Sequence, residues 1–126
     1  MDAPRITKVA PPDRIAPPEA QTPGMTREQV AATDTHWVGH AVTEPGMASG
    51  WHHHGEHDSY LYVLSGSCFL ESGPGGTEQV DAEPGDFVHV PPGVVHRESN
   101  PSDEAAALIV FRVGSGPAHV NVDGPG

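Results

Sequence analysis

Residues 85–100 read GDFVHVPPGVVHRESN, from Gly85 to Asn100. Phe87 to Val90 is a short run of aromatic and β-branched residues, the composition of a strand. Pro91-Pro92-Gly93 ends it, because proline removes a ladder donor and glycine supplies turn geometry. His96 then stands on a returning strand over residues 95–99. The rigid corner fixes where its imidazole points, as a metal site requires when one ligand comes from far along the chain.

Working outward, the same texture extends from His36 to Val113. Short apolar runs cover residues 36–43, 50–54, 59–64, 67–72, 77–81, 87–90, 95–99 and 105–113. Gly/Pro/Asp/Asn clusters separate them, including Glu44-Pro45-Gly46, Gly73-Pro74-Gly75-Gly76 and Glu83-Pro84-Gly85-Asp86. Short strands at this spacing predict an all-β sandwich or barrel. A parallel β/α fold needs interleaved helices, and the pattern offers none. His119 to Val122 adds one more short strand candidate.

The first 24 residues carry Pro4, Pro11, Pro12, Pro17, Pro18 and Pro23 and little periodicity, so they read as an arm. Residues 6–9 are a candidate edge strand. Thr26-Arg27-Glu28-Gln29 fits a capping box and predicts a short helical turn through Ala32. The expected division is an arm with this helical turn over residues 1–35 and a barrel over 36–126.

Composition narrows the function. A chain of 126 residues holds one domain. Six basic residues against seventeen acidic ones give a net charge of -11, which disfavours nucleic acid and anionic membranes as partners. No apolar run approaches the roughly 18 residues of a spanning helix, and the N-terminus lacks the basic-then-apolar pattern of a secretory signal. A cytoplasmic location is expected. The single cysteine, Cys68, sits in a strand-like run and reads as a core residue rather than a reactive thiol.

The chemistry lies in the nine histidines, four of which fall within residues 52–57. In GWHHHGEHDSY, His52 and His54 are two apart, so on a strand both project to one face. Burying two unpaired imidazoles there has a cost and no structural return, whereas a metal ion uses both. His53 points the other way.

These residues resemble the two sequence motifs of the cupin superfamily. Gly85, Pro91, Gly93, His96 and Asn100 match every fixed position of the second motif, G-x5-P-x-G-x2-H-x3-N. Gly46, His52, His54 and Gly66 match the first, G-x5-H-x-H-x(3,4)-E-x6-G, but its glutamate position is Ser59. The resemblance implies a double-stranded β-helix, a jelly-roll-like barrel, holding one divalent transition metal through His52, His54 and His96. It also implies turn roles for Gly46, Gly66, Gly85, Gly93, Asp86 and Asn100.

Ser59 leaves the usual carboxylate ligand unassigned. His57 shares strand parity with His52 and His54 and is taken as the fourth ligand; water and Asp58 are the alternatives. Fe(II) is the favoured ion, with Ni, Cu, Mn or Zn as others. Arg97 and Arg112, the cations of the barrel region, are read as surface residues ahead of carboxylate clamps. The resemblance implies a metal-dependent enzyme on a small enol, diketone, catechol or carboxylate, of dioxygenase type. A non-redox isomerase or lyase and a non-catalytic binding protein remain open. A homodimer is expected, paired through sheets or the arm.

Overall fold

A computed structural model describes residues 3–18 and 21–125. Ten strands occur among them: β1 (Met25–Ala32), β2 (His36–Thr43), β3 (His52–His53), β4 (Asp58–Ser65), β5 (Cys68–Ser72), β6 (Glu78–Ala82), β7 (Phe87–Val90), β8 (His96–Ser99), β9 (Ala106–Val113) and β10 (Val120–Asn121). They form two five-stranded antiparallel sheets, ordered β1-β2-β9-β4-β7 and β10-β3-β8-β5-β6. No helix is long and apolar enough to cross a membrane among the described residues.

Period-two burial explains how the sheets face each other. On β4, Ser59, Leu61 and Val63 are buried; on β9, Ala106, Leu108, Val110 and Arg112 are. Cys68, Leu70 and Ala82 come from the other sheet, and the apolar residues of both merge into one core, with Met25, Trp37, Ala41 and Val90. The two sheets are thus the halves of an all-β barrel. Phe69 does not join the core with its neighbours, because Cys68 and Leu70 take the inward positions of β5.

The helical turn expected over residues 26–32 is replaced by β1. It pairs with β2 from Met25↔Thr43 to Ala32↔Trp37. The Gln21 side chain docks on its backbone in both senses: Arg27 N–H donates to Gln21 Oε1 at 2.8 Å, and Gln21 Nε2 donates to the Arg27 carbonyl at 2.9 Å. The sheet's demand for a partner outweighs a local capping signal. The barrel therefore starts at Met25, and residues 6–9 make no strand; Ile15 instead bridges to Gln29.

The corner residues behave as turn builders. Gly46, Gly66, Gly85 and Gly93 all have positive φ. Asp86 accepts the Glu83 N–H at 2.9 Å. Buried Asn100 donates to the Thr43 and Glu104 carbonyls at 3.0 and 2.7 Å and accepts from Ser102.

Candidate metal centre

β3 and β8 are adjacent antiparallel strands, with His52 directly opposite His96. Alternation puts His52 and His54 on the inner face from one side, and His96 and Glu98 from the other. All four are buried, and one ligand atom from each lies within 4.8 Å of the others. The structure thus gathers three of the residues singled out in the sequence and adds Glu98, which sequence reasoning missed. Its signal was available: Glu98 is two residues beyond His96 on a strand, the same spacing as His52 and His54.

Each imidazole is held by a backbone carbonyl. Nδ1 of His52 lies 2.8 Å from the Gly50 oxygen, that of His54 2.7 Å from Ala118, and that of His96 2.9 Å from Val94. A carbonyl only accepts, so each Nδ1 carries the proton, and a neutral ring then turns the bare lone pair of Nε2 inward. There, His96 Nε2 meets Glu98 Oε1 at 3.2 Å, and His52 Nε2 lies 3.8 Å from the same oxygen. Several lone pairs converge on one point and need a cation or an added proton between them. Burial pushes His52 and His54 below the usual histidine range, against the pull of Glu98 at His52 and with the help of Arg112 at His54, which disfavours filling that point with imidazolium on these rings. Burial opposes ionisation of Glu98, but contacts with His52 and His96 outweigh it and hold its carboxyl well below the ordinary value. Three neutral nitrogens and a carboxylate fit a divalent metal.

The backbone around Glu98 is fixed by Ser49, whose N–H donates to the Glu98 carbonyl at 2.7 Å and whose Oγ accepts the Glu98 N–H at 3.0 Å. The carboxylate that the motif would place at position 59 is supplied from β8.

His57 stays outside the group. Gly55, at φ +57°, turns the chain, and His57 N–H closes the turn on the His54 carbonyl at 3.0 Å. That turn breaks the parity on which a fourth-imidazole role depended. The His57 ring, also buried, donates from Nδ1 to the same carbonyl at 3.0 Å. Asp58 faces outward against His89 at 2.8 Å. Ser59 is fully buried, and its Oγ has no hydrogen-bond partner.

A second residue that sequence reasoning missed is His119. Its ring stacks on His52, with centroids 4.6 Å apart and planes at 16°. The segment carrying it is anchored through the Ala118 carbonyl on His54 and the pairing of β10 with β3. Burial, with His52 close by, lowers His119 to about 4.

The sequence matches the Cupin domain family over residues 39–112, more than half of the chain. The chain belongs to the cupin family. Among solved structures, this cupin is similar to an uncharacterized conserved protein with a double-stranded β-helix domain from Klebsiella pneumoniae. The TM-score is 0.71 at 20% identity, over 96% of this chain and 99% of that one. It is also similar to the oxalate decarboxylase of Bacillus subtilis, with TM-score 0.70 at 19% identity over 81% of this chain. The match spans only 29% of the decarboxylase's length. A second structure of that decarboxylase, a study of its Mn(II) centres, matches with TM-score 0.70 at 19% identity over 82% of this chain and 29% of that one. Likeness at this identity establishes the fold. No curated protein is detectably similar in sequence.

Proposed function

We propose that this cupin is a mononuclear-metal oxidoreductase of dioxygenase type, acting on a small enol, diketone, catechol or carboxylate. His52, His54, His96 and Glu98 would hold one divalent ion, Fe(II) first and Mn(II) next. The observation that carries this reading is the convergence of three imidazoles and one carboxylate within 4.8 Å in a buried position. An oxygen donor beside three nitrogens favours Fe(II) and Mn(II) over the imidazole-only set expected from the sequence, and makes Cu(II) less apt. When bound, such an ion supplies Lewis-acid polarisation of an oxygen ligand and, as Fe(II), access to dioxygen.

The protein's own residues do the positioning. The three Nδ1–H···O=C bonds lock the rings in the tautomer that presents Nε2. Glu98 neutralises one unit of the ion's charge and leaves a net single positive charge to attract an anionic oxygen group. Leu61, Val63, Leu108 and Val110 line the barrel interior and lower the dielectric around the site.

A non-redox lyase is the second reading, supported by the fold shared with a decarboxylase and by the hard carboxylate donor. Assembly belongs to the same proposal: a second copy covers the outward apolar face of β4, β7 and β9, where Phe87 is 76% exposed and Tyr60, Ile109, Phe111 and Val113 stand close by.

The test is elemental analysis of protein purified without chelator, followed by oxygen uptake on a panel of small enols, diketones, catechols and carboxylates. Stoichiometric iron with oxygen consumption supports the leading reading. Product formation under nitrogen supports the lyase. Protein that neither carries nor takes up a divalent ion overturns both.

A further inference from the structure

Beside the metal centre lies a cavity of about 320 Å³, whose walls include Pro17, Gln29, Trp37, Arg112, Pro117 and His119. His119 forms the partition, with its ring stacked on the ligand candidate His52. A volume near 300 Å³ is the small end of the range for organic-ligand sites.

Arg112 is the unusual wall. It is the fourth inward position of β9, after Ala106, Leu108 and Val110, and is only 4% exposed. It was read from the sequence as a surface cation; the strand's alternation turns it inside. Its guanidinium lies 4.7 Å over the Trp37 ring. Its Nε has no hydrogen-bond partner, and no carboxylate stands within ion-pair distance of it among the described residues. Burial and the neighbouring Arg27 lower it, Glu98 opposes them, and it falls only to about 10, so it stays charged at neutral pH.

The reason it lacks a partner is written across the ladder. Ser59 is the residue directly opposite Arg112, and both are buried on the inner face. Position 59 is where the first cupin motif has its glutamate. With serine there, the inward arginine feels the attraction of Glu98 but has no carboxylate in contact with it. A buried charge without a contacting counter-ion is costly, and an exogenous carboxylate relieves that cost with a two-pronged hydrogen bond.

Of the remaining polar groups of the cavity, Gln29 suits the same guest: its Oε1 accepts the Trp37 indole N–H at 3.1 Å, which leaves its amide nitrogen as the end with donors to offer. His119 Nε2 donates to Asn121 Oδ1 at 2.9 Å, so its buried Nδ1 is a bare acceptor and the anchoring of an acid falls to Arg112. The Trp37 ring is a flat apolar wall, and it lies flat because Gly39 follows on the same face: a Cβ there would stand 2.2 Å from the ring.

We propose that this cavity binds the carboxylate group of a small organic acid, with the Arg112 guanidinium as its anchor. The proposal names the substrate class of the functional reading above and rests on it for the acid's role as substrate. Binding itself stands independently of the metal.

The experiment is a titration of Trp37 fluorescence in the Trp51→Phe background, leaving Trp37 as the sole indole. Pyruvate and benzoate are the probes, with pyruvamide and benzamide as uncharged controls. Both chelator-treated and metal-loaded protein are used, and calorimetry is run in parallel. The expected result is saturable binding of the acids, not the amides, that survives chelation. It weakens at least 10-fold in Arg112→Met and also in Ser59→Glu, where an internal carboxylate takes the acid's place.

Should Arg112→Met fail to fold, Ser59→Glu and the amide controls carry the test alone. Absence of acid binding, amides binding as tightly as acids, or unchanged affinity in the folded variants overturns the proposal. So does binding that vanishes on chelation and in His96→Ala but persists in Arg112→Met, since the acid then sits on the metal and only the functional reading survives. Arg112-dependent binding by a protein that takes up no metal would sink the functional reading and leave this site standing.

Discussion

His96 and Glu98 sit two residues apart on β8, and their side chains meet at 3.2 Å between Nε2 and Oε1, while His96 Nδ1 is engaged by the Val94 carbonyl. Both ring nitrogens therefore face acceptors. An ion between Nε2 and Oε1 satisfies both, and because it competes with protons for these atoms its loading releases them. Glu98→Gln removes the carboxylate while keeping its shape. The expected result is metal affinity lowered by about 10-fold or more and less proton release on loading, measured by calorimetry in buffers of different ionisation enthalpy. Unchanged affinity would remove Glu98 from the ligand set.

His96→Ala deletes the histidine that β8 contributes to the group. Metal binding is expected to be lost, while far-ultraviolet circular dichroism retains the β signature, because the core cluster is apolar and forms without the ion. The variant leaves Glu98 buried beside a gap, so a stability loss of roughly 1–3 kcal/mol is expected, the scale for a buried polar group that loses its partner. Full metal occupancy in His96→Ala would refute the assignment.

His57 provides the opposite expectation. Its ring bonds the turn carbonyl of His54 and lies outside the ligand group. His57→Gln should leave metal affinity within a factor of about two or three and cost on the order of 1 kcal/mol, the usual worth of one internal hydrogen bond. A large affinity loss with unchanged stability would restore it as a ligand.

How far the sequence reached is visible in these two residues. His52, His54 and His96 were legible because their spacing and the Pro91-Pro92-Gly93 corner encode strand parity directly. Phe87–Val90 and His36–Thr43 appear as strands with the ends read from the sequence. His57 was misplaced because parity holds only along an unbroken strand, and Gly55 turns the chain at φ +57°. β1 was hidden because two of its inward positions are polar, Arg27 and Gln29, so no apolar alternation marks it. The pairing of Ser59 with Arg112 depends on which strands become neighbours, a long-range fact that no local pattern carries.

The outward face of β4, β7 and β9 provides a prediction about assembly. Tyr62 and Phe87 pack at 4.7 Å, Tyr60 stacks on His89 at 4.9 Å, and Ile109 and Phe111 extend the surface. Light scattering at micromolar concentration should report a dimer, and Ile109→Glu with Phe111→Glu should give a monomer that still binds metal. A monomeric wild type would show that this face is solvent-exposed.

Acid should destabilise the metal-free protein, and the sign follows from the buried rings. His52 and His54 lie below the ordinary value of 6.5, chiefly through burial, and His119 falls to about 4. Between these folded values and 6.5 the unfolded chain binds protons that the folded rings refuse. Stability is then complete above pH 6.5 and is lost as pH falls through the window below it. Glu98, also lowered, extends the loss below 4.5. Each fully buried ring contributes a slope of up to about 1.4 kcal/mol per pH unit. Thermal unfolding of chelator-treated protein should be flat from pH 8 to 7 and decline below about 6.5, with a shallower decline in His54→Gln. Bound metal excludes protons from the same nitrogens, so the loaded protein should begin its decline at lower pH. Coincident curves for wild type and His54→Gln would mean that the ring is protonated within the fold and that its burial imposes no such cost.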